Sequence, residues 1–501
     1  MVVPPAANTR VVLIALDAFD ANVFEHLMES GALPNLARFA KDSGRARIHS
    51  EGATLHGSLW PTFATGTGPG IHGMYFWTQW LEEEMAYVRN SHQAFAIEPF
   101  WKRIGELRLP LTILDAPYVP LVRQPDSLEV SAWGMHDELE EQAWPEGYRA
   151  RFEKRFGTHP LSFDTVEPQS AAEKLKMVRD LRRGVGLRAK ATRDLLNERP
   201  GPGLHLFVFS ETHKASHYLA APQQLTETMT NVSGMGHILE PLDAAWPEIV
   251  EAAGADAHIF LFSLHGTVHQ VDFSASLGSQ VLAMSLGKEP EVAVAKPDLL
   301  RRMRNLLPSS LHQAIWRRLP ARFRASREGA RNSAGADLES DAIFRVAHDG
   351  HVAVRANLTG RERDGRFDEA ATEGAIKSFE TLAGQFQTAD GRPAFAGMMR
   401  PAIDFRGPRA HRLPDGLLLS NPRVVSADHI VGPGGLKLTN TEPEARNGIH
   451  NGQGFLFARF GEGSGRSLNR VEIDNRDFAP SMCSLFGLPN VEYFEGSTFL
   501  S

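Results

Sequence analysis

Three uninterrupted apolar runs set the frame of this chain: VVLIAL ahead of Asp17, HLFVFS ahead of Glu211, and HIFLFSL ahead of His265. Runs of this length without polar alternation read as strands buried on both faces, at residues 10–17, 204–210 and 258–264. Between them the apolar period lengthens to that of helices. Such stretches occupy 21–30, 34–42 (opening with Pro34), 171–198, 239–253 and 368–386. The long segment at 171–198 carries Leu175, Val178, Leu181 and Val185 on one stripe. Strands that alternate with helices predict an α/β protein whose mostly parallel central sheet is covered by helices on both faces.

The alternation breaks at about 290–345. Between Leu299 and Arg331 stand nine arginines and one acidic residue, Glu328, interleaved with Leu306, Leu311, Ile315, Trp316, Leu319 and Phe323. This reads as a helical insertion. A basic amphipathic stretch can rest on an anionic membrane or guide an anionic substrate, and a solvated helix pair is the simpler reading. GHVAVRANLTGRERDGRF, further on, reads as a strand and turn. The expected organisation is a core of residues 1–290 and 400–501, with 291–399 as an insertion or cap built from the arginine-rich segment and a strand-helix unit.

Charge narrows the partners. A net charge of -7 argues against nonspecific nucleic-acid binding, which needs a basic footprint. No stretch approaches the ~18 to 20 apolar residues of a membrane span, so stable membrane insertion is not expected. One cysteine, Cys483, excludes an internal disulfide framework and fits a reducing compartment. With MVVPPAANTRVV running straight into the first strand, the expectation is a cytoplasmic protein, with self-association left open.

The strand ends carry the candidate chemistry. In an open α/β sheet, ligands gather at the carboxyl ends of the strands. His213 and His217, four apart on a helical turn, share a face and can meet one cation, with Glu211 just before them. His265 precedes a glycine at a strand exit. Asp17 ends a buried strand, where a carboxylate is costly unless paired or metal-bound; as a helix cap it competes with Asp20, which fills that role as well or better. His450 sits in a glycine-rich loop. Ser58, Thr62 and Thr65 lie ahead of a glycine-rich turn and are nucleophile or cap candidates. His136 and Asp137 follow a strand and suit a cleft or a turn. Lys214, Arg355 and Arg361 are candidates to hold an anionic group, or ordinary ion-pair residues.

Taken together, these segments resemble the alkaline phosphatase superfamily, in particular its type I phosphodiesterase and nucleotide pyrophosphatase branch. LIALDAFD with LPNLARFAKDSG is similar to that branch's opening, ATGTGPGIHGMYFW to its TG-x-x-PG-x-HG run, FSLHGT to its SDHG motif, and RNGIHNGQGFLFARF to its late histidine loop. VRANLTGRERDG and DNRDFAPSMCSLFGLPNVEYFEGSTF resemble later segments. The resemblance implies two metal ions, usually zinc, flanking a Thr or Ser nucleophile. Asp17, His217, His265 and His450 match metal-ligand positions. The nucleophile position falls on His56, one carboxylate ligand is replaced by His213, and another by Leu264.

Two of these three replacements are themselves ligand types. The expectation is therefore a rebuilt site: His213, His217 and His450 around one divalent ion, and Asp17, His56 and His265 around another. Zinc is expected, with manganese or iron as alternatives. Three protein ligands per ion leave an open position, so a metal-bound hydroxide would attack a small anionic substrate, with Glu211 as general base or orienter. Phosphorylation of His56, or attack by Ser58, is the other route, and His136, Lys214 and Arg361 would bind substrate. The implied function is hydrolysis of a small-molecule phosphate mono- or diester. The alternatives are another metal-assisted reaction of sulfatase, transferase or lyase type, and a non-catalytic binding protein.

Overall fold

The computed structural model describes residues 8–89, 98–134, 142–161, 171–219, 231–290, 337–440 and 446–501. The arginine-rich stretch, and with it the helical-insertion reading, lies outside these residues, as do His136 and Asp137. Contacts divide the chain into two compact units: residues 1–68, 91–268 and 450–501 in one, and 69–90 and 269–449 in the other. The second unit is wider than the 291–399 segment read from sequence, because apolar packing draws in Phe273, Leu277 and Val281 ahead of it and strand pairing draws in Gly416–Ser420 after it.

The first unit is built on a nine-stranded sheet. Its strands are β1 (Arg10–Leu16), β2 (Gly44–His49), β3 (Leu111–Leu114), β4 (Ser127–Ser131), β5 (Gln142–Trp144), β6 (Gly203–Phe209), β7 (His258–Ser263), β8 (Gln453–Arg459) and β9 (Glu472–Asp474), in the spatial order β9-β2-β8-β7-β1-β6-β3-β4-β5. β1 pairs in parallel with both β6 and β7, and β3 is parallel to β6 and β4. β8 runs antiparallel between β7 and β2, and β5 is antiparallel at the edge.

All seven residues of β1 are buried, and its two faces feed two different cores. Val12, Ile14 and Leu16 pack with the helices α1 (Ala21–Glu29), α2 (Pro34–Lys41), α5 (Ala171–Glu198) and α7 (Asn231–Ala253). Val11, Leu13 and Ala15 pack with α3 (Leu59–Thr65), α4 (Phe100–Glu106) and α8 (Phe478–Leu485). Helices therefore cover both faces, and a strand covered twice has no reason to alternate. The buried stripe of α5 starts at Met177; Leu175, counted into that stripe from sequence, is 45% exposed in the first turns of the helix. α7 begins at Asn231, earlier than expected, with Pro241 and Pro247 inside it.

The second unit holds a four-stranded antiparallel sheet of Ile343–Val346, His351–Ala356, Gly416–Ser420 and Phe395–Met399, packed on the helix Glu369–Ala383. Asp368 caps that helix through the Ala371 N–H. Among the described residues, no helix is long and apolar enough to cross a membrane.

Candidate metal centre

The sheet order explains why distant residues meet. β1, β6 and β7 are parallel neighbours, so the residues that follow them, Asp17, the helix α6 (Glu211–Leu219) and His265, emerge at one edge. β8 is antiparallel to β7, which places its leading end, and His450 three residues before it, at that same edge. β2 is antiparallel to β8, so it delivers the turn His56–Ser58 there as well.

The β1 exit is held in a demanding conformation. Ala18 adopts a positive φ of 55°, unfavourable for a residue with a Cβ. Its carbonyl accepts hydrogen bonds from Ser216 Oγ (3.0 Å) and Thr267 Oγ1 (3.1 Å), and the Asp17 carbonyl accepts one from Thr212 Oγ1 (2.7 Å). Asp20, not Asp17, caps α1, accepting from the Asn22 and Val23 N–H groups. Its second oxygen accepts from Asn451 Nδ2 (3.0 Å), and Asn451 Oδ1 accepts from the Gly266 N–H (3.1 Å). One side chain thus ties together the loops carrying Asp17, His265 and His450.

Five histidines surround this edge. The facing Nε2 atoms of His213 and His217 are 3.0 Å apart, and the donor nitrogens of His213, His217 and His450 all lie within 4.8 Å of one another. The His450 ring centre is 4.9 Å from His213, 4.7 Å from His217, 4.7 Å from His265 and 4.9 Å from His56. Asp17 is 4% exposed; its Oδ1 accepts from Trp60 Nε1 (3.0 Å) and its Oδ2 is 2.9 Å from His213 Nδ1. Of the two ligand sets expected, only His213, His217 and His450 converge as three donors among the described residues.

Burial, reinforced by the neighbouring imidazoles, holds His450 well below the usual histidine range. Burial likewise pulls His265 down to about 4, and the His213 charge adds to the effect against the opposing pull of Asp17. Both rings are neutral near pH 7, the form that binds metal. Burial raises Asp17, but its interactions with His213 and His265 and the hydrogen bonds from His213 and Trp60 outweigh that and hold it below the ordinary carboxylate range. The buried Nδ1 atoms of His265 and His450 have no hydrogen-bond partner among the described residues. Unpaired buried nitrogens on neutral imidazoles, beside three converging donors, fit a divalent transition metal.

Several expected site residues do other work. Glu211 is fully buried: Arg188 Nε lies 2.9 and 3.0 Å from its two oxygens, and His159 Nε2 lies 2.8 Å from one of them. Burial raises its proton affinity, yet Arg188 and His159 outweigh that and hold it below the ordinary carboxylate range. These bonds anchor the carboxylate at the start of α6. Arg361 directs its donors within the second unit to Asp415 (2.8 and 2.7 Å), Glu362 (3.0 Å) and the Ala356 carbonyl (2.7 Å). Arg355 is similarly committed to Glu362 (2.7 Å). Lys214 is largely buried on α6. The Ser58 hydroxyl is fully buried, and among the described residues no hydrogen bond ties it to the histidines.

Sequence reasoning missed Trp60, Arg188, His159 and Asp115. Arg188 had a signal: it continues the buried stripe of Leu181 and Val185, and a charge on an apolar stripe needs a buried partner. Besides Glu211 it reaches Asp115 Oδ2 (2.8 Å), which also accepts from the Gly134 N–H.

A mostly parallel, helix-covered sheet with a histidine-rich centre at its carboxyl edge is the alkaline phosphatase-like arrangement. The profile of the type I phosphodiesterase / nucleotide pyrophosphatase family matches residues 11–396, and the chain belongs to that family, within the alkaline phosphatase superfamily. The fold is similar to that of phosphonoacetate hydrolase from Sinorhizobium meliloti 1021 in its complex with phosphonoacetate, at 12% identity over 95% of each chain and a TM-score of 0.54. It is also similar to murine ectonucleotide pyrophosphatase/phosphodiesterase 5, at 9% identity over 98% of this chain and 100% of that one, with a TM-score of 0.50. No curated protein matches the sequence. The family is one of phosphodiesterase- and pyrophosphatase-type hydrolases, and its members typically depend on divalent metal ions.

Proposed function

We propose that this protein is a divalent-metal-dependent hydrolase of a small-molecule phosphate mono- or diester. The observation that carries this reading is the convergence of His213, His217 and His450, with donor nitrogens within 4.8 Å of one another, in a chain of the phosphodiesterase family. These three residues would hold the ion; zinc is the first candidate, because three imidazoles with an open position are a donor set of catalytic zinc. Bound there, the ion would supply Lewis acidity towards a phosphoryl oxygen and lower the pKa of water.

The residues of the chain define the rest. The burial of the Ser58 hydroxyl favours water over Ser58 as the nucleophile. His56 and His265, each against the His450 ring, would flank a bound ion. In a protein of net charge -7, attraction for an anionic substrate comes from the centre itself or from a local basic cluster. The single, buried Cys483 suits a cytoplasmic setting.

A second reading is favoured by one feature, the imidazole at the nucleophile position: the fold would serve another metal-assisted cleavage, of a sulfate ester or a phosphonate. A substrate panel separates the two. Metal-replete protein is expected to release nitrophenol from bis(p-nitrophenyl) phosphate or p-nitrophenyl phosphate; turnover of only p-nitrophenyl sulfate or phosphonoacetate would transfer the assignment to the second reading.

A further inference from the structure

Asp17 stands where a metal ligand is expected, yet both of its oxygens are already engaged. Oδ1 receives the indole N–H of Trp60 at 3.0 Å, and Oδ2 faces His213 Nδ1 at 2.9 Å. A carboxylate only accepts, so His213 donates from Nδ1, and its lone pair is left on Nε2. That Nε2 atom is the one 3.0 Å from His217 Nε2 and close to the His450 donor. The arrangement is that of an outer carboxylate fixing the tautomer and direction of a metal-binding imidazole.

The second expected set lacks the corresponding geometry. Asp17, His56 and His265 do not converge as a three-donor group among the described residues. The residue before His265, Leu264, is apolar, 1% exposed and packed into a hydrophobic core. His265 and His56 instead each make a ring contact with His450.

From these contacts we infer that the chain binds a single metal ion, held by His213, His217 and His450, and that Asp17 is a positioning residue that orients His213 without touching the ion. The inference rests on the metal-dependent reading above and narrows it. Three neutral imidazoles leave the full charge of a divalent ion uncompensated at its open face, whereas a site with carboxylate ligands cancels part of it. The centre therefore suits a substrate that brings its own negative charge.

The test is metal content and ligand environment, independent of turnover. Protein saturated with zinc and freed of excess is analysed for ions per chain by elemental analysis, and its zinc K-edge absorption is fitted for imidazole and carboxylate ligands. One ion per chain with three imidazoles and no protein carboxylate is expected. His56→Ala should retain that ion, and Asp17→Asn should retain it with affinity weakened about 10- to 100-fold. Two ions per chain, or a carboxylate in the coordination shell, would overturn the inference while leaving metal dependence intact. No bound ion would overturn metal dependence itself. Should Asp17→Asn fail to fold, the wild-type ion count and spectrum decide alone.

Discussion

Arg188 and Glu211 form an ion pair with both side chains wholly shielded from solvent, the guanidinium Nε meeting the two carboxylate oxygens at 2.9 and 3.0 Å. The pair joins the middle of α5 to the first residue of α6, two positions ahead of His213. It anchors the helix that presents two of the three converging histidines.

Removing one partner of such a pair leaves a buried charge uncompensated. Arg188→Met should destabilise the protein by about 3 to 5 kcal/mol, read from denaturant-induced unfolding. Glu211→Gln should cost less, because Asp115 still neutralises the guanidinium and the amide oxygen still accepts from Arg188. If Glu211 were instead a general base, Glu211→Gln would abolish turnover while leaving unfolding unchanged.

Gly184 leaves room for the His159 ring. A Cβ at this position would lie 2.4 Å from His159 Nε2, the nitrogen bonded to Glu211. Gly184→Ala should therefore destabilise by about 1 to 3 kcal/mol despite the better helix propensity of alanine, and thermal unfolding checks it. An unchanged or raised Tm would show that the ring yields.

Trp60 offers a graded probe of Asp17. Trp60→Phe keeps an aromatic ring in the core and deletes only the indole N–H donor. Zinc affinity by competition with a chelating dye should fall by less than tenfold, a smaller loss than for Asp17→Asn, since the bond to His213 survives.

Acid should weaken the metal-free protein in two stages. Burial depresses His265 and His258 to about 4 and His205 to about 3, from an ordinary value near 6.5. Between about pH 6.5 and 4 the unfolded chain binds protons that the folded chain refuses, so stability falls as pH falls through that window. Glu211 is shifted in the same direction over a lower range: its folded value lies below the unfolded one near 4.5, so its contribution is present above that value and is lost as pH falls below it. Denaturation midpoints measured from pH 7 to 4 should decline throughout; a flat profile down to pH 5 would contradict the buried neutral histidines.

Much of this was legible in the chain because burial on both faces writes a plain pattern. VVLIAL, HLFVFS and HIFLFSL became β1, β6 and β7, and the residues at their ends became neighbours because the three strands are adjacent and parallel. The spacing of His213 and His217 gave a shared face directly. What stayed hidden depended on partners far away in sequence. Glu211 at a strand exit looks the same whether it serves a substrate or an arginine, and only Arg188, 23 residues earlier on another helix, decides between them. Arg361 was ambiguous for the same reason, its ion-pair partner Asp415 being 54 residues away. Asp17 lies at the site as expected, and its contacts with Trp60 and His213 could not be read from the sequence.

The most direct test of the central claim is chelation and add-back on a single substrate. Wild-type protein stripped by a chelator should lose hydrolysis of bis(p-nitrophenyl) phosphate and regain it on titration with zinc, while His217→Ala, folded by circular dichroism, should not regain it at any zinc concentration in the titration. Hydrolysis that survives stripping, or that zinc restores equally in His217→Ala, would contradict a hydrolase built on His213, His217 and His450.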